Sequence, residues 1–178
     1  MPLQSLTQKM KFKANIYYLL FLGAIFLSAC TFNKKEQAGG VDFLQGKWSE
    51  DSVENKNQLV SYQQYHITFT CDSFYLNIQT HSSVNLNGGA CYDTKEWQEF
   101  AKGYYTLVND TLKLEGNFVN KTYKYKPEGS CYRVGKYEEK FILNDKADGL
   151  INIKSLQKGL VHQLIRKEKL VCSSNTNN

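Results

Sequence analysis

From residue 65 to residue 79 apolar and polar side chains alternate on a period of two. Tyr65, Ile67, Phe69 and Cys71 interleave with His66, Thr68 and Thr70; beyond Asp72-Ser73, Phe74, Leu76 and Ile78 interleave with Tyr75, Asn77 and Gln79. Successive side chains of a strand point to opposite faces, so this pattern predicts a hairpin with one apolar and one polar face. The same grammar recurs on either side of Asn109-Asp110, again around residues 144–149, and ends in a run at 160–167 after Lys158-Gly159. Eight strands are predicted, near 46–50, 62–71, 73–81, 97–108, 111–119, 136–144, 149–156 and 160–167. No stretch after residue 30 sustains a helical period, although residues 94–101 suit a short helical turn. Twelve Tyr and 10 Phe with only 2 Pro favour pleated surfaces. Antiparallel strands joined neighbour to neighbour close into an eight-stranded up-and-down barrel without free edges, and a meander β-sandwich is the alternative.

The pattern changes at the N-terminus. Lys9, Lys11 and Lys13 precede an apolar run at 16–27 that ends in Leu27-Ser28-Ala29-Cys30. Basic residues, a short apolar stretch and a small-residue cleavage site describe a secretory signal. The final cysteine makes it resemble the lipobox of exported bacterial lipoproteins. That resemblance implies cleavage before Cys30, acylation of Cys30, and anchoring to a membrane through acyl chains. Twelve apolar residues are too few to span a bilayer, which takes about 20. Met10 offers an alternative start to Met1. The expected organisation is a signal at 1–29, a polar tether at 30–40 ending in Gly39-Gly40, a β domain at 41–171 and a solvated tail at 172–178. Thr31, rather than an aspartate, follows the acceptor, which favours the outer membrane of a Gram-negative envelope.

Charge narrows the partners. The chain has 22 Lys+Arg and 17 Asp+Glu, but three of the lysines and no acid lie in the signal, which leaves 19 against 17. That near balance offers no basic face for nucleic acid. With Cys30 acylated, Cys71, Cys91, Cys131 and Cys172 remain, an even set that an exported protein oxidises to two disulfides. No Cys-x-x-Cys or histidine spacing points to a metal, and no cofactor is implied. In an up-and-down barrel successive loops alternate between the ends. Cys71 and Cys172 fall at the end where the first strand begins, and Cys91 and Cys131 at the other. Bridged Cα atoms lie within about 7 Å, so the expected pairs are Cys71–Cys172 and Cys91–Cys131. The long loops of the second end carry Tyr62, Tyr92, Trp97, Tyr123, Tyr125, Tyr132 and Arg133, the candidate binding rim.

Leu44-Gln45-Gly46-Lys47-Trp48 resembles the first-strand Gly-x-Trp signature of the lipocalins. The resemblance implies a barrel whose base is closed by Trp48 beside Gly46 and covered by a basic side chain of the last strand, Arg166. Thr70-Cys71-Asp72-Ser73, Ala101-Lys102-Gly103-Tyr104 and Cys131-Tyr132-Arg133-Val134-Gly135 resemble a group of short bacterial lipoproteins to which the name fumarate hydratase is sometimes attached. The chemistry for that reaction is missing: there is no Gly-Ser-Ser loop of the large helical enzymes and no cysteine set free for an iron–sulfur cluster. Nor is there a zinc-protease, nucleophile-elbow, phosphate-loop or calcium-loop motif. His66, His81 and His162 read as half-exposed strand residues, and Glu138 and Glu139 as neighbours on opposite faces. Asp51-Ser52-Val53 and Asp110-Thr111-Leu112 resemble bacterial O-glycosylation acceptors. Two functions remain open. One is a lipocalin-like protein holding a small apolar or amphipathic ligand at the barrel mouth; the other is an envelope interaction or inhibitor protein using its aromatic loops. A cavity inside the barrel favours the first and a barrel filled by Tyr and Phe the second.

Overall fold

The computed structural model describes residues 40–85 and 87–172. The signal, Cys30, the tether before Gly40 and the last six residues lie outside the described residues. Eight strands follow in chain order: β1 Gly46–Ser49, β2 Ser61–Thr70, β3 Ser73–Ser82, β4 Glu96–Val108, β5 Thr111–Val119, β6 Lys136–Ala147, β7 Leu150–Ser155 and β8 Val161–Lys169. Each pairs antiparallel with its neighbour and β1 also pairs with β8, so the sheet closes into an up-and-down, lipocalin-like barrel. This is the expected barrel, and the alternative meander sandwich is not formed. Residues 94–101 are not a helical turn but run into β4; the short 3-10 turn lies earlier, at Ala90–Tyr92. The alternation of Trp97, Glu99 and Ala101 toward the interior wins over the weak helical pattern, because pairing with β3 buries that phase.

The inward phase of every strand builds one core, in which Ile67, Phe69, Phe74, Leu76, Leu112, Leu114, Phe141 and Ile151 are closed to solvent. A row across the wall shows how it fits. Phe74, Gly103, Gly116 and Tyr137 are successive cross-strand partners. A Cβ at Gly103 would stand 2.0 Å from the Glu115 carbonyl and one at Gly116 1.9 Å from that of Lys102, so only glycine permits this approach. The rings of Phe74 and Tyr137 meet over the two glycines at 5.8 Å.

The base, where β1 begins, is closed by Trp48, which is 2% exposed and donates from Nε1 to the Leu44 carbonyl at 2.7 Å. The Arg166 guanidinium lies 5.3 Å from the Trp48 ring centre and donates to the Phe43 carbonyl. Gly46 holds a φ of 149°, and a Cβ there would lie 2.4 Å from the Glu168 carbonyl. Gln45 clamps the β2–β3 turn: Cys71 N donates to its Oε1 at 2.7 Å, and its Nε2 donates to the Cys71 carbonyl at 2.9 Å and to Tyr105 Oη at 2.8 Å. The disulfides Cys71–Cys172 and Cys91–Cys131 both form, the first at the base and the second among the loops of the mouth.

Candidate functional site

The mouth is made by the loops β1–β2, β3–β4, β5–β6 and β7–β8. The inward phase that is apolar lower in the barrel here turns acidic and hydroxylic. Glu139 follows Tyr137 and precedes Phe141 on the inward phase of β6; it is 3% exposed. Its Oε2 accepts from Tyr65 Oη at 3.0 Å and Tyr137 Oη at 2.9 Å, and its Oε1 from Ser155 Oγ at 2.8 Å. Lys158, from the β7–β8 turn, reaches down with Nζ 3.2 Å from Glu139 Oε1 and donates to Tyr65 Oη at 2.9 Å. Burial works against the Glu139 carboxylate, but the Lys158 charge and the hydroxyl donors outweigh it and hold its pKa below the ordinary value. Burial, with the Glu139 charge beside them, pushes Tyr65 and Tyr137 well above the usual phenol range.

A second cationic latch comes from the β5–β6 loop. Glu99 is buried on the inward phase of β4 between Trp97 and Ala101. Its Oε1 accepts from Arg133 Nε at 2.8 Å and from the Arg133 backbone at 3.2 Å, and its Oε2 accepts from Nη2 at 2.8 Å. The same guanidinium lies 4.5 Å from the Phe118 ring centre. Burial opposes ionisation of Glu99, and the bidentate Arg133 pair reverses it, so this carboxyl too stays below its ordinary pKa. A third pair joins Glu50 to His162. Glu50 Oε2 lies 2.9 Å from His162 Nδ1 and accepts from Tyr65 N at 3.1 Å, while the His162 ring stacks on Tyr65 at 4.1 Å. His162 is therefore not the half-exposed strand residue expected: it is 2% exposed, because it shares the inward phase of Leu164. His66 and His81 are half-buried.

The rim residues divide into two groups. Tyr92, Trp97 and Tyr132 form one aromatic cluster beside the Cys91–Cys131 bridge, with Tyr92 5.2 Å from Trp97 and 5.4 Å from Tyr132. Arg133 adjoins it as the Glu99 latch, and Tyr62 stacks on His81 at 4.6 Å on the outer wall near the mouth. Tyr123 and Tyr125 are not on the rim. The β5–β6 loop folds down the outside of the barrel, setting Tyr123 against Tyr75 and Phe100 and leaving Tyr125 71% exposed beside Lys102. Tyr123 finds there an apolar seat that water at the mouth would not provide. Exposed aliphatic side chains complete the mouth: Leu59 and Val60 before β2, Val84 after β3, and Leu156, Leu160 and Val161 around the β7–β8 turn. Among the described residues, surface cavities open at several places on the barrel. One of about 660 Å³ is beside Asp148 and Cys172 at the base, one of about 340 Å³ is beside Tyr125, and one of about 450 Å³ is beside Glu54 and Asp145.

Sequence reasoning missed Glu50, Glu99, Glu139 and Lys158. For Glu99 and Glu139 a signal existed, since each sits in phase with the apolar residues two positions away. Among the described residues no group of three or more His, Cys, Asp or Glu is arranged to hold a metal. Ser52 is exposed in the β1–β2 loop, whereas Thr111 is half-buried at the start of β5. Compared with known proteins, the chain matches no family model, and no curated protein or solved structure is significantly similar to it. Fold and mouth together define a lipocalin-like barrel with a filled interior and a latched, polar mouth.

Proposed function

We propose that this is a lipid-anchored envelope protein, held by an acylated Cys30 in an outer membrane, that recognises a protein partner with the mouth of its barrel. The observation that carries the reading is the contrast between inside and rim. The interior is occupied by Trp48, Tyr65, Phe69, Phe74, Tyr137 and Phe141 and shut by Lys158 and Arg133, so a small apolar ligand would have to displace core side chains. The rim instead exposes Leu59, Val60, Val84, Leu160 and Val161 around an aromatic cluster stiffened by a disulfide. Exposed apolar surface rimmed by polar groups is a mark of association, and buried Tyr and Trp anchors supply much of the energy at such surfaces.

Photo-crosslinking residues placed at Val60, at Val84 and, as a control on the outer wall, at Thr106 test this in the full chain in its own envelope. The expected result is one discrete protein adduct shared by Val60 and Val84, absent from Thr106 and lost on Val84 when Val60 is changed to Asp. Equal labelling from Thr106 overturns the reading, as does a stoichiometric small molecule retained by the intact barrel in native mass spectrometry. Anchoring has its own test: Cys30→Ser should release the chain from the membrane fraction, and a variant that stays bound there removes the acyl anchor.

A further inference from the structure

The shortest strand leaves one side of the barrel only half paired. β1 has four residues, whereas β2 has ten and β8 nine. β1 pairs with β2 only at His66–Phe69, numbered from its Ser49 and Gly46 partners, and with β8 only from Ile165 to Lys169. One more bond, Glu50 N to the Tyr65 carbonyl at 2.9 Å, extends it before the chain turns away. Toward the mouth, β2 and β8 therefore run on with no strand paired between them, and only the Glu50 side chain bridges them, from Tyr65 N to His162 Nδ1.

Strand parity says which peptide groups face that gap. Arg166 N donates to the Gly149 carbonyl and Ser155 N to that of Leu160, so even-numbered residues of β8 turn their peptide groups to β7. Val161 and Gln163 turn theirs to the β1 side, where among the described residues no backbone partner meets them. The gap has a finished floor: the stacked rings of Tyr65 and His162 lie behind it, and Lys158 crosses above it to Tyr65. Beside this edge opens the cavity of about 450 Å³, lined by Glu50, Ser52, Glu54, Asp145, Val161 and Gln163 among others, with no basic side chain in its lining. Asp51 is paired with Lys167 and Glu50 with His162. Among the described residues Glu54 and Asp145 are in no ion pair.

We propose that the open edge of β8 at Val161–Gln163 accepts an extended, lysine- or arginine-bearing segment of a partner protein as an added strand. This rests on the reading of the mouth as a protein-recognition surface and names the chemistry of what it takes. The outward-turned N–H and C=O groups supply main-chain hydrogen bonds, and cationic side chains of the segment meet Glu54 beside the edge, with Asp145 adding to the negative field from β6, two strands away across β7. A second copy of this chain is the poorer occupant, because edge-to-edge pairing would bring both copies' Glu54 and Asp145 together.

The probe is a blocked peptide, Lys-Val-Lys-Thr-Lys-Val, with a glutamate analogue in which every Lys is Glu, added to the detergent-solubilised full chain. Binding should slow hydrogen exchange at the Val161 and Gln163 amides by about tenfold, and the glutamate analogue should not bind. Gln163→Pro removes an N–H that serves no bond within the barrel, and a proline is tolerated at such an edge. It should weaken the peptide by about tenfold with an unchanged thermal midpoint. Glu54→Gln with Asp145→Asn, two surface changes, should weaken binding and flatten its salt dependence. Absence of peptide binding, undiminished binding to folded Gln163→Pro, or equal binding of the glutamate analogue overturns the added strand. Partner adducts from Val60 and Val84 that persist in Gln163→Pro likewise overturn it while leaving mouth recognition standing; absence of adducts in the unmodified chain removes mouth recognition itself.

Discussion

The two ends of this barrel are built from the same alternation yet solve opposite problems. At the base the turns are tight and the inward residues are mostly apolar; of the polar groups there, Gln45 and Tyr105 fix the Cys71 turn and Arg166 covers Trp48. At the mouth the loops are long, and three inward carboxylates, Glu50, Glu99 and Glu139, are each matched to a basic or imidazole partner. Buried ion pairs contribute little net stability compared with apolar packing, but removing one member leaves a costly uncompensated charge. The base is thus where the fold gains its stability, and the mouth is where stability is conditional on latches contributed by loops.

The comparison can be broken most severely at the base. Trp48→Ala removes the side chain that closes it and should cost about 3–5 kcal/mol, read from the urea midpoint; a cost below about 1 kcal/mol would mean that Trp48 does not close the base. At the mouth, Lys158→Met should cost about 2 kcal/mol, less than the base variant because Tyr65, Tyr137 and Ser155 still donate to Glu139. Acid sharpens the difference. Glu99 and Glu139 have folded pKa values below their ordinary 4.5. Below that ordinary value the unfolded chain binds more protons, so their contribution is complete above pH 4.5 and is lost as the pH falls through the depressed folded values. A thermal-midpoint series should show this loss, and the loss should be shallower in Lys158→Met, whose Glu139 lacks its cation. The smallest effect is expected on the rim: Val60→Asp should change stability by less than about 0.5 kcal/mol while abolishing the partner adduct.

What could be read from the residues follows the same division. The hairpin at 65–79, the tight turns at Asp72 and Asn109 and both disulfides were legible, because apolar alternation and loop parity decide them, whereas the Trp48–Arg166 contact was legible only through the resemblance of Gly46-Lys47-Trp48 to the lipocalin signature. The mouth was harder to read, since an inward Glu or His leaves no apolar mark: Glu139 read only as a neighbour of Glu138 on the opposite strand face, and His162 as a half-exposed strand residue. Phase would have caught both, as each stands two positions from buried apolar residues. Lys158 and Tyr123 carry no such mark. One is a turn residue whose reach depends on where Glu139 sits across the barrel, and the other depends on a loop folding down a wall whose outer face, Tyr75 and Phe100, is assembled only in the closed sheet.

The base clasp also has a mechanical meaning. Gly40 sits so near the β2–β3 turn that a Cβ there would stand 1.8 Å from the Cys71 carbonyl, and Val41 N donates to Tyr105 Oη at 3.0 Å. Cys71 is bonded in turn to Cys172. Tension applied through Gly40 therefore meets Gln45, Tyr105 and the Cys71 turn before it reaches β1, and at that turn a covalent link shares the load with the end of β8. β1 is gripped on both sides, so a pull along it must shear two ladders at once rather than unzip either, which makes the base a shackle able to keep the barrel folded under drag.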